Sequence, residues 1–227
     1  MGSSSSKSGK LVLYYDERSA PCRAVLLTAA ALNIKLKLKR LDLLAKETLN
    51  PDFVKINPQH CLPTLKDGDF VLWESRAILQ YLVNQYGKAD NALYPLDPKK
   101  RALVDARLNF DAGYFHPRLG AFMNKFAAEK VSDEESVKKL GEALDLLNTF
   151  LEGNEWVACE TATIADISLA AGVSNLELFE QCKLKNYPNV VKWLQNCKKN
   201  LKGYDDANQK GIDALHAGIQ KLMASEN

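Results

Sequence analysis

The chain is predicted to be a small mixed α/β unit followed by an all-helical one. Three observations carry this. Every segment with strand character lies before residue 74. Turn formers and two prolines gather in KADNALYPLDP, residues 88–98. Beyond them the apolar residues recur only at helical spacing. The 227 residues, 46% hydrophobic and 26% charged, are an ordinary globular mix with enough chain for a sizeable core. Disordered, collagen-like and disulfide-rich classes are excluded. With 30 basic against 28 acidic residues, the basic excess typical of nucleic-acid binders is missing.

The elements follow in order. Residues 1–10, MGSSSSKSGK, are Ser-rich and polar and lack the apolar stretch of a secretory signal. They read as a disordered leader or tag, although Met1-Gly2 with Ser6 also fits an N-myristoylation pattern. LVLYY, residues 11–15, is a strand. SAPC then leads into AVLLTAAALN, with Pro21 suited to a first helical turn and Asn33 to the stop. From Ile34 to Leu41 leucines alternate with lysines, the period of a half-buried strand. This β-α-β unit implies two parallel strands. Residues 51–57 are a short helical or irregular piece. Lys66-Asp67-Gly68-Asp69 between apolar runs signals a hairpin, and Ile78, Leu79, Leu82 and Val83 mark a helix after it.

The division is thus 11–87, a linker at 88–98, and 99–227. In the second part, Lys99 to Phe126 is helical with bends expected at Gly113 and Pro117. Val137, Leu140, Leu144, Leu147 and Leu151 share one helical face. Thr163-Ile164-Ala165-Asp166 opens a further helix, residues 188–200 form another, and 205–224 is an amphipathic tail. No run approaches the ~20 apolar residues that span a bilayer. The five cysteines, Cys22, Cys61, Cys159, Cys182 and Cys197, show no C-x-x-C spacing and fit reduced thiols in a cytoplasmic protein. No His/Cys/Asp cluster has metal-ligand spacing.

Specific words at specific places resemble the glutathione transferases, and among them the insect-type delta class, with epsilon next. The words are Ser19-Ala20-Pro21-Cys22-Arg23, Ile56-Asn57-Pro58-Gln59-His60 running into Leu62-Pro63-Thr64-Leu65, Asp67-Gly68-Asp69-Phe70, Leu72-Trp73-Glu74-Ser75-Arg76-Ala77-Ile78, Lys99-Lys100-Arg101-Ala102 and Thr163-Ile164-Ala165-Asp166. The likeness runs from about residue 11 to residue 205. It implies an α/β thioredoxin-like N-terminal domain, an all-α C-terminal helical domain, a homodimer, and glutathione as co-substrate with no metal.

The same resemblance assigns roles. Ser19, before a helix, is the catalytic hydroxyl that donates to the glutathione thiolate. A free thiol has a pKa near 8.5, and each unit of depression requires about 1.36 kcal/mol. One O–H donor and a helix N-terminus supply about one to two units. On residues alone, a plain N-cap reading competes. Cys22 stands where C-x-x-C oxidoreductases keep the second cysteine, and Ser19 replaces the attacking one. Leu62-Pro63 resembles the family's cis-proline turn, whose Leu62 backbone pairs with the cysteinyl unit like an added strand. Glu74 and Ser75 meet the γ-glutamyl ammonium and carboxylate, Arg76 adds positive charge, and His60 reaches the glycine end.

One departure stands out. Thr48 occupies a position where delta enzymes commonly carry a histidine, leaving Lys46 or Lys55 to compensate. Tyr114, Phe115, Phe122 and Phe126, with Phe179 as a closing ring, suggest an apolar electrophile pocket, although helix core explains any one of them as well. Asp111 resembles an acidic residue that crosses the dimer interface in related enzymes. Thr163 and Asp166 form a buried capping box. Conjugation of apolar electrophiles is the function so implied, with peroxidase activity on organic hydroperoxides as a side reaction. A non-catalytic carrier and a specialised glutathione-dependent isomerase stay open at this level. Nucleic acid and membrane are not expected partners.

Overall fold

The structure, a computed structural model, describes residues 11–131 and 133–224. The leader expected at 1–10 lies outside the described residues. β1 (Leu11–Tyr15) leads to α1 (Ala20–Ala31), with Pro21 in its first turn and Asn33 leaving it at φ 57°. β2 (Lys37–Arg40), the short helix α2 (Pro51–Val54), the hairpin β3 (Thr64–Asp67) and β4 (Phe70–Trp73), and α3 (Ser75–Tyr86) complete the first unit. The sheet order is β2-β1-β3-β4, with β1 and β2 parallel and the other pairs antiparallel. Leu11 and Leu13 enter the main core, where α1 packs against α3. Tyr14, one residue on, points to the opposite face and meets Phe53 of α2 at 5.3 Å.

The alternating Ile34–Leu41 segment departs from expectation. Its strand is only Lys37–Arg40, and all four residues are exposed. β2 is an edge strand with a single neighbour. Ile34 and Leu36, before it, are half-buried against the core, whereas Leu38 is 46% exposed over an open groove between α1 and residues 203–211. Period two is a true strand signal here, but the second covering layer is missing.

Eleven residues without helix or strand, 87–97, precede α4 (Pro98–Phe110), which Asp97 caps by accepting from the Lys100 N–H at 2.9 Å. α4 continues through a π-helical turn (Asp111–Phe115) into α5 (His116–Glu129), and Pro117 lies in the first turn of α5. The expected bend is therefore a π turn rather than a break. α6 (Glu134–Phe150), α7 (Ile164–Val173) and α8 (Pro188–Asn200) follow, and a second π turn (Asp205–Gln209) opens α9 (Lys210–Ala224).

All ten residues of α7 are buried. α1 packs directly on α7, and one continuous apolar core joins the α/β unit to the helical one. Among the described residues no helix is long and apolar enough to cross a membrane, and no cluster of His, Cys, Asp and Glu has the shape to hold a metal ion. All five cysteines are free thiols.

Candidate active site

Strand register brings the site together. Tyr14 of β1 faces Thr64 of β3, which in turn faces Trp73 of β4. The segments just beyond these residues, 15–19, 60–63 and 74–76, therefore meet at one end of the sheet. β1 runs into α1 and β4 into α3 at that same end, so two twelve-residue helices direct their N-termini there. Both present unpaired N–H groups and the positive end of a dipole. The arrangement favours a bound anion.

Ser19 is the residue before α1, with extended backbone (φ −79°, ψ 118°), and its side chain makes no capping hydrogen bond. The plain N-cap reading is not realised here. The Cys22 thiol lies three residues on, and the Ser19 hydroxyl favours its ionised form. Burial pushes that thiol up to about 12, against the opposing Ser19 contact. Fully enclosed, Cys22 is a packing residue and not a nucleophile.

The loop leading to Ser19 is held by charge. Arg18 Nε donates to Asp16 at 2.9 Å, a second guanidinium nitrogen bonds both Asp16 and Asp42, and the Asp42 distance is 2.7 Å. Burial pushes the Asp16 carboxyl up, but the Arg18 side-chain and backbone bonds and the Leu43 N–H outweigh it and hold it below the usual range. The Arg18 bond and the N–H groups of Ala45 and Leu44 bring Asp42 down to about 2. Carboxyls with depressed folded pKa values contribute stability that is present above their unfolded value of 3.8 and lost as pH falls toward 2. The Asp16→Asn variant should thus melt lower than the parent at pH 6, and its melting temperature should fall less steeply between pH 4 and pH 2. Equal acid slopes in the two proteins would remove Asp16 from this role.

The second segment is organised by residues to which the sequence alone assigns no role. The buried Asn57 amide donates to Thr64 Oγ1 at 2.8 Å and to the Cys61 carbonyl at 3.2 Å, while Thr64 Oγ1 donates to that same carbonyl. Asn57 Oδ1 accepts the Gln59 N–H. This fixes the loop that carries exposed His60 (φ 45°), Leu62 and Pro63, and the Leu62–Pro63 bond is cis. Gln59 then crosses to the third segment, accepting from Trp73 Nε1 at 2.8 Å and donating to Glu74 at 3.2 Å. Only the side-chain contacts reveal Asn57, Thr64 and Gln59. Their one sequence signal is membership in the Asn57–Leu65 word.

Glu74 is exposed and adopts φ 68°, a backbone state that non-glycine residues seldom take. It is the residue before α3, so Ser75 is the first helical residue rather than its cap. Ser75 is buried, and its Oγ accepts from Arg76 at 3.1 Å. Arg76 also forms a two-nitrogen pair with the buried Asp111 carboxylate, at 3.0 and 2.7 Å. Ser168 of α7 donates to the same oxygen. Asp111 is thus consumed within its own chain, which corrects the expectation that it reaches across an interface. The Arg76 charge is likewise committed to this pair. Burial and Arg76 together lower the pKa of the neighbouring His116, against Asp111.

Four of the five aromatic residues expected around the electrophile pocket are enclosed, Phe126 among them at 8% exposed. Phe115 and Phe122 have no exposed surface and Phe179 is 4% exposed. Phe122 and Phe126 each meet Phe179 edge-on at 5.0 Å, and Phe115 fills the space over Gly172. Aromatic rings packed this way saturate one another's surfaces, so Phe115, Phe122 and Phe179 are core and not lining. Tyr114 alone is half-buried, stacked on Phe110 at 5.6 Å with the Arg118 guanidinium over its ring. Thr48 is 6% exposed in the turn before α2, so it offers little of the polar surface a histidine would present.

The molecule matches known proteins over both units. The model of the glutathione S-transferase N-terminal domain matches residues 11–84, and that of the C-terminal domain matches residues 110–199. Glutathione S-transferase D7 of Anopheles gambiae is 46% identical over 220 residues, covering 92% of this chain and 95% of the relative. A delta-class glutathione transferase of Nilaparvata lugens is 44% identical with a TM-score of 0.88, covering 93% of this chain and 99% of that one. A glutathione transferase homolog of Drosophila mojavensis, solved with bound glutathione, is 34% identical with a TM-score of 0.86, covering 94% and 97%. Two domains matched in order, relatives alike along nearly the whole chain, and a site formed by two helix N-termini and a cis-proline turn lead to one conclusion: the protein belongs to the glutathione S-transferase family, whose co-substrate is glutathione.

Proposed function

We propose that Ser19 donates its hydroxyl hydrogen to the sulfur of bound glutathione and holds it as a thiolate for attack on an apolar electrophile. The observation that carries this is the convergence of Ser19, the Leu62–Pro63 turn and Glu74–Ser75 beneath two helix N-termini, with the Ser19 side chain not used as a cap. In this reading the Leu62 backbone pairs with the cysteinyl unit and His60 meets the glycine end. Ser75 and the first N–H groups of α3 take the γ-glutamyl carboxylate, Glu74 takes its ammonium, and Arg76 holds Ser75 in place. The thiol proton leaves to solvent. The thiolate forms a carbon–sulfur bond as the leaving group departs with the bonding electrons, or as an activated double bond takes up a proton. An organic hydroperoxide would meet the same thiolate. Positioning and thiolate stabilisation supply the rate.

The electrophile is assigned to the groove of ≈ 590 Å³ between Glu17–Arg18, Leu44 and α9, where Ala214, Ala217 and Leu222 supply the apolar surface and Arg40, Asp42 and Lys221 add charge. It adjoins the loop that ends in Ser19, and Tyr114 is the one aromatic candidate that is not enclosed. We infer a cytoplasmic homodimer with units at 11–87 and 99–227 joined by 88–98. The free thiols and the family resemblance support that inference. An ultraviolet difference titration of glutathione across pH, with and without protein, tests the central step. A bound thiol ionising below its free value is the expected result. Binding with an unshifted thiol would overturn it.

A further inference from the structure

One buried charge is unused by this mechanism. Arg23 lies one turn into α1, four residues after Ser19, and has no exposed surface. Among the described residues no carboxylate pairs with it. Its guanidinium instead grips neutral oxygens in three directions. Nη1 donates to the Arg18 carbonyl at 2.9 Å, just upstream of Ser19. Nη2 donates to the Ala171 carbonyl of α7 at 2.7 Å and to the Asn175 side chain. Nε donates to Asn208 Oδ1 at 2.8 Å, in the π turn that opens α9. Asn208 passes the chain of bonds on to Ser174. Desolvating a guanidinium without an anion is expensive, so the side chain must be held by this complete set of acceptors.

A second observation points to the same place. A methyl group on Gly211 would lie 2.2 Å from the Glu17 carbonyl oxygen and 2.4 Å from Arg23 Cδ. The start of α9 is therefore pressed onto the Glu17–Ser19 loop with no space between. The backbone of Ser19 is tied on both sides, its N–H to the Asp16 carbonyl and its carbonyl to the Arg23 N–H, both at 3.0 Å. The C-terminal segment thus reaches the loop through one side chain and one glycine.

We propose that Arg23 is a positioning residue for Ser19, clamping the Glu17–Ser19 loop onto the C-terminal segment so that the hydroxyl is held against the glutathione sulfur. This rests on the reading of Ser19 as thiolate donor. Other charges nearby are already committed. Asp16 and Asp42 are paired to Arg18, Glu17 to Arg40, Asp206 to Lys210, and Asp111 to Arg76. Burial raises Cys22 and Tyr204 to about 12, which leaves both neutral at pH 7. A loosened loop therefore alters the thiol through the hydroxyl geometry and not through a newly exposed charge.

The test uses Asn208→Ala, which removes the α9-side anchor but keeps the Arg23 charge, and Gly211→Ala, which forces the loop outward. Ser19→Ala serves as reference. The bound-thiol pKa, the pH profile of kcat/KM, the exchange rate of the Ser19 amide and the melting temperature are read for each. Both clamp variants should raise the thiol pKa by about half to one unit, a three- to tenfold loss of thiolate below the pKa. They should also lower kcat more than they raise KM for glutathione, and speed Ser19 amide exchange. A lowered melting temperature with the thiol pKa at its parental value would make Arg23 merely structural and overturn the proposal. Should Ser19→Ala itself leave the thiol pKa unchanged, the donor reading fails. The clamp is then judged by Ser19 amide exchange, and parental exchange in Asn208→Ala refutes it. If one clamp variant does not fold, the other decides by the same readouts.

Discussion

Replacing Ser19 with alanine should raise the pKa of enzyme-bound glutathione by about one unit and cut conjugation at neutral pH by about tenfold. The size follows from what is lost and what remains. One O–H donor to a charged sulfur disappears, while the α1 N-terminus still faces the site. The pH profile is the sharper readout. Above both thiol pKa values the sulfur is ionised with or without help, so the two enzymes should converge there in kcat/KM. Below, the variant should fall away earlier. Stability should barely change. An N-cap serine replaced by alanine typically costs about 1 kcal/mol, but the Ser19 side chain makes no cap bond. Superimposable pH profiles, or a melting loss as large as the rate loss, would reject Ser19 as donor.

The contrast between what the sequence discloses and what it hides has a physical cause. Periodicity locates elements that bury one face, as Leu140, Leu144 and Leu147 of α6 show, whereas β2 is exposed throughout and α7 is buried all round. The site segments are legible because their residues are consecutive words: Ser19, Leu62–Pro63 and Glu74–Ser75 each end a strand or begin a helix. Pairings between distant positions are not legible. Nothing near Asp111 in the sequence tells it from an interface residue until Arg76 and Ser168 are seen around it. Arg23 reads as part of a word until its acceptors at 171, 175 and 208 come together. Aromatic residues are the weakest ground. Phe115, Phe122 and Phe179 carry the same chemistry in a core as in a pocket, and only packing separates the two. Gly113 marks a bend at the first π turn, Asp111–Phe115, but not its kind, and the second, Asp205–Gln209, leaves no sequence signal. They supply Asp111 and Asn208, which bridge the two units.

The largest stability effect should come from Asp166→Ala. Thr163 Oγ1 accepts the Ala165 N–H at 3.3 Å while Asp166 accepts the Thr163 N–H at 2.9 Å, which completes the box at the start of α7. The carboxylate does more than cap. It also takes the Val157 N–H and the Trp193 indole N–H, both at 2.9 Å, and the Thr163 hydroxyl at 3.0 Å. It therefore joins the incoming loop, α7 and α8 at one fully buried point. Burial pushes the Asp166 carboxyl up in spite of these four donors. Alanine would leave two backbone N–H groups and an indole N–H buried without partners. At about 1–3 kcal/mol for each orphaned donor, and allowing for relaxation, the loss should be about 3–5 kcal/mol, a large part of the usual 5–15. For a chain of this size that is a fall in melting temperature on the order of 10 °C. Turnover per folded molecule, measured well below the new transition, should stay near the parental value. Asp166 acts at the first turn of α7, whereas Ser168 and Ala171, which reach Asp111 and Arg23, lie further along the helix. Fraying confined to that first turn leaves both of those bonds in place. Parental melting combined with lost turnover would move Asp166 from folding to catalysis, and no contact of its carboxylate points that way.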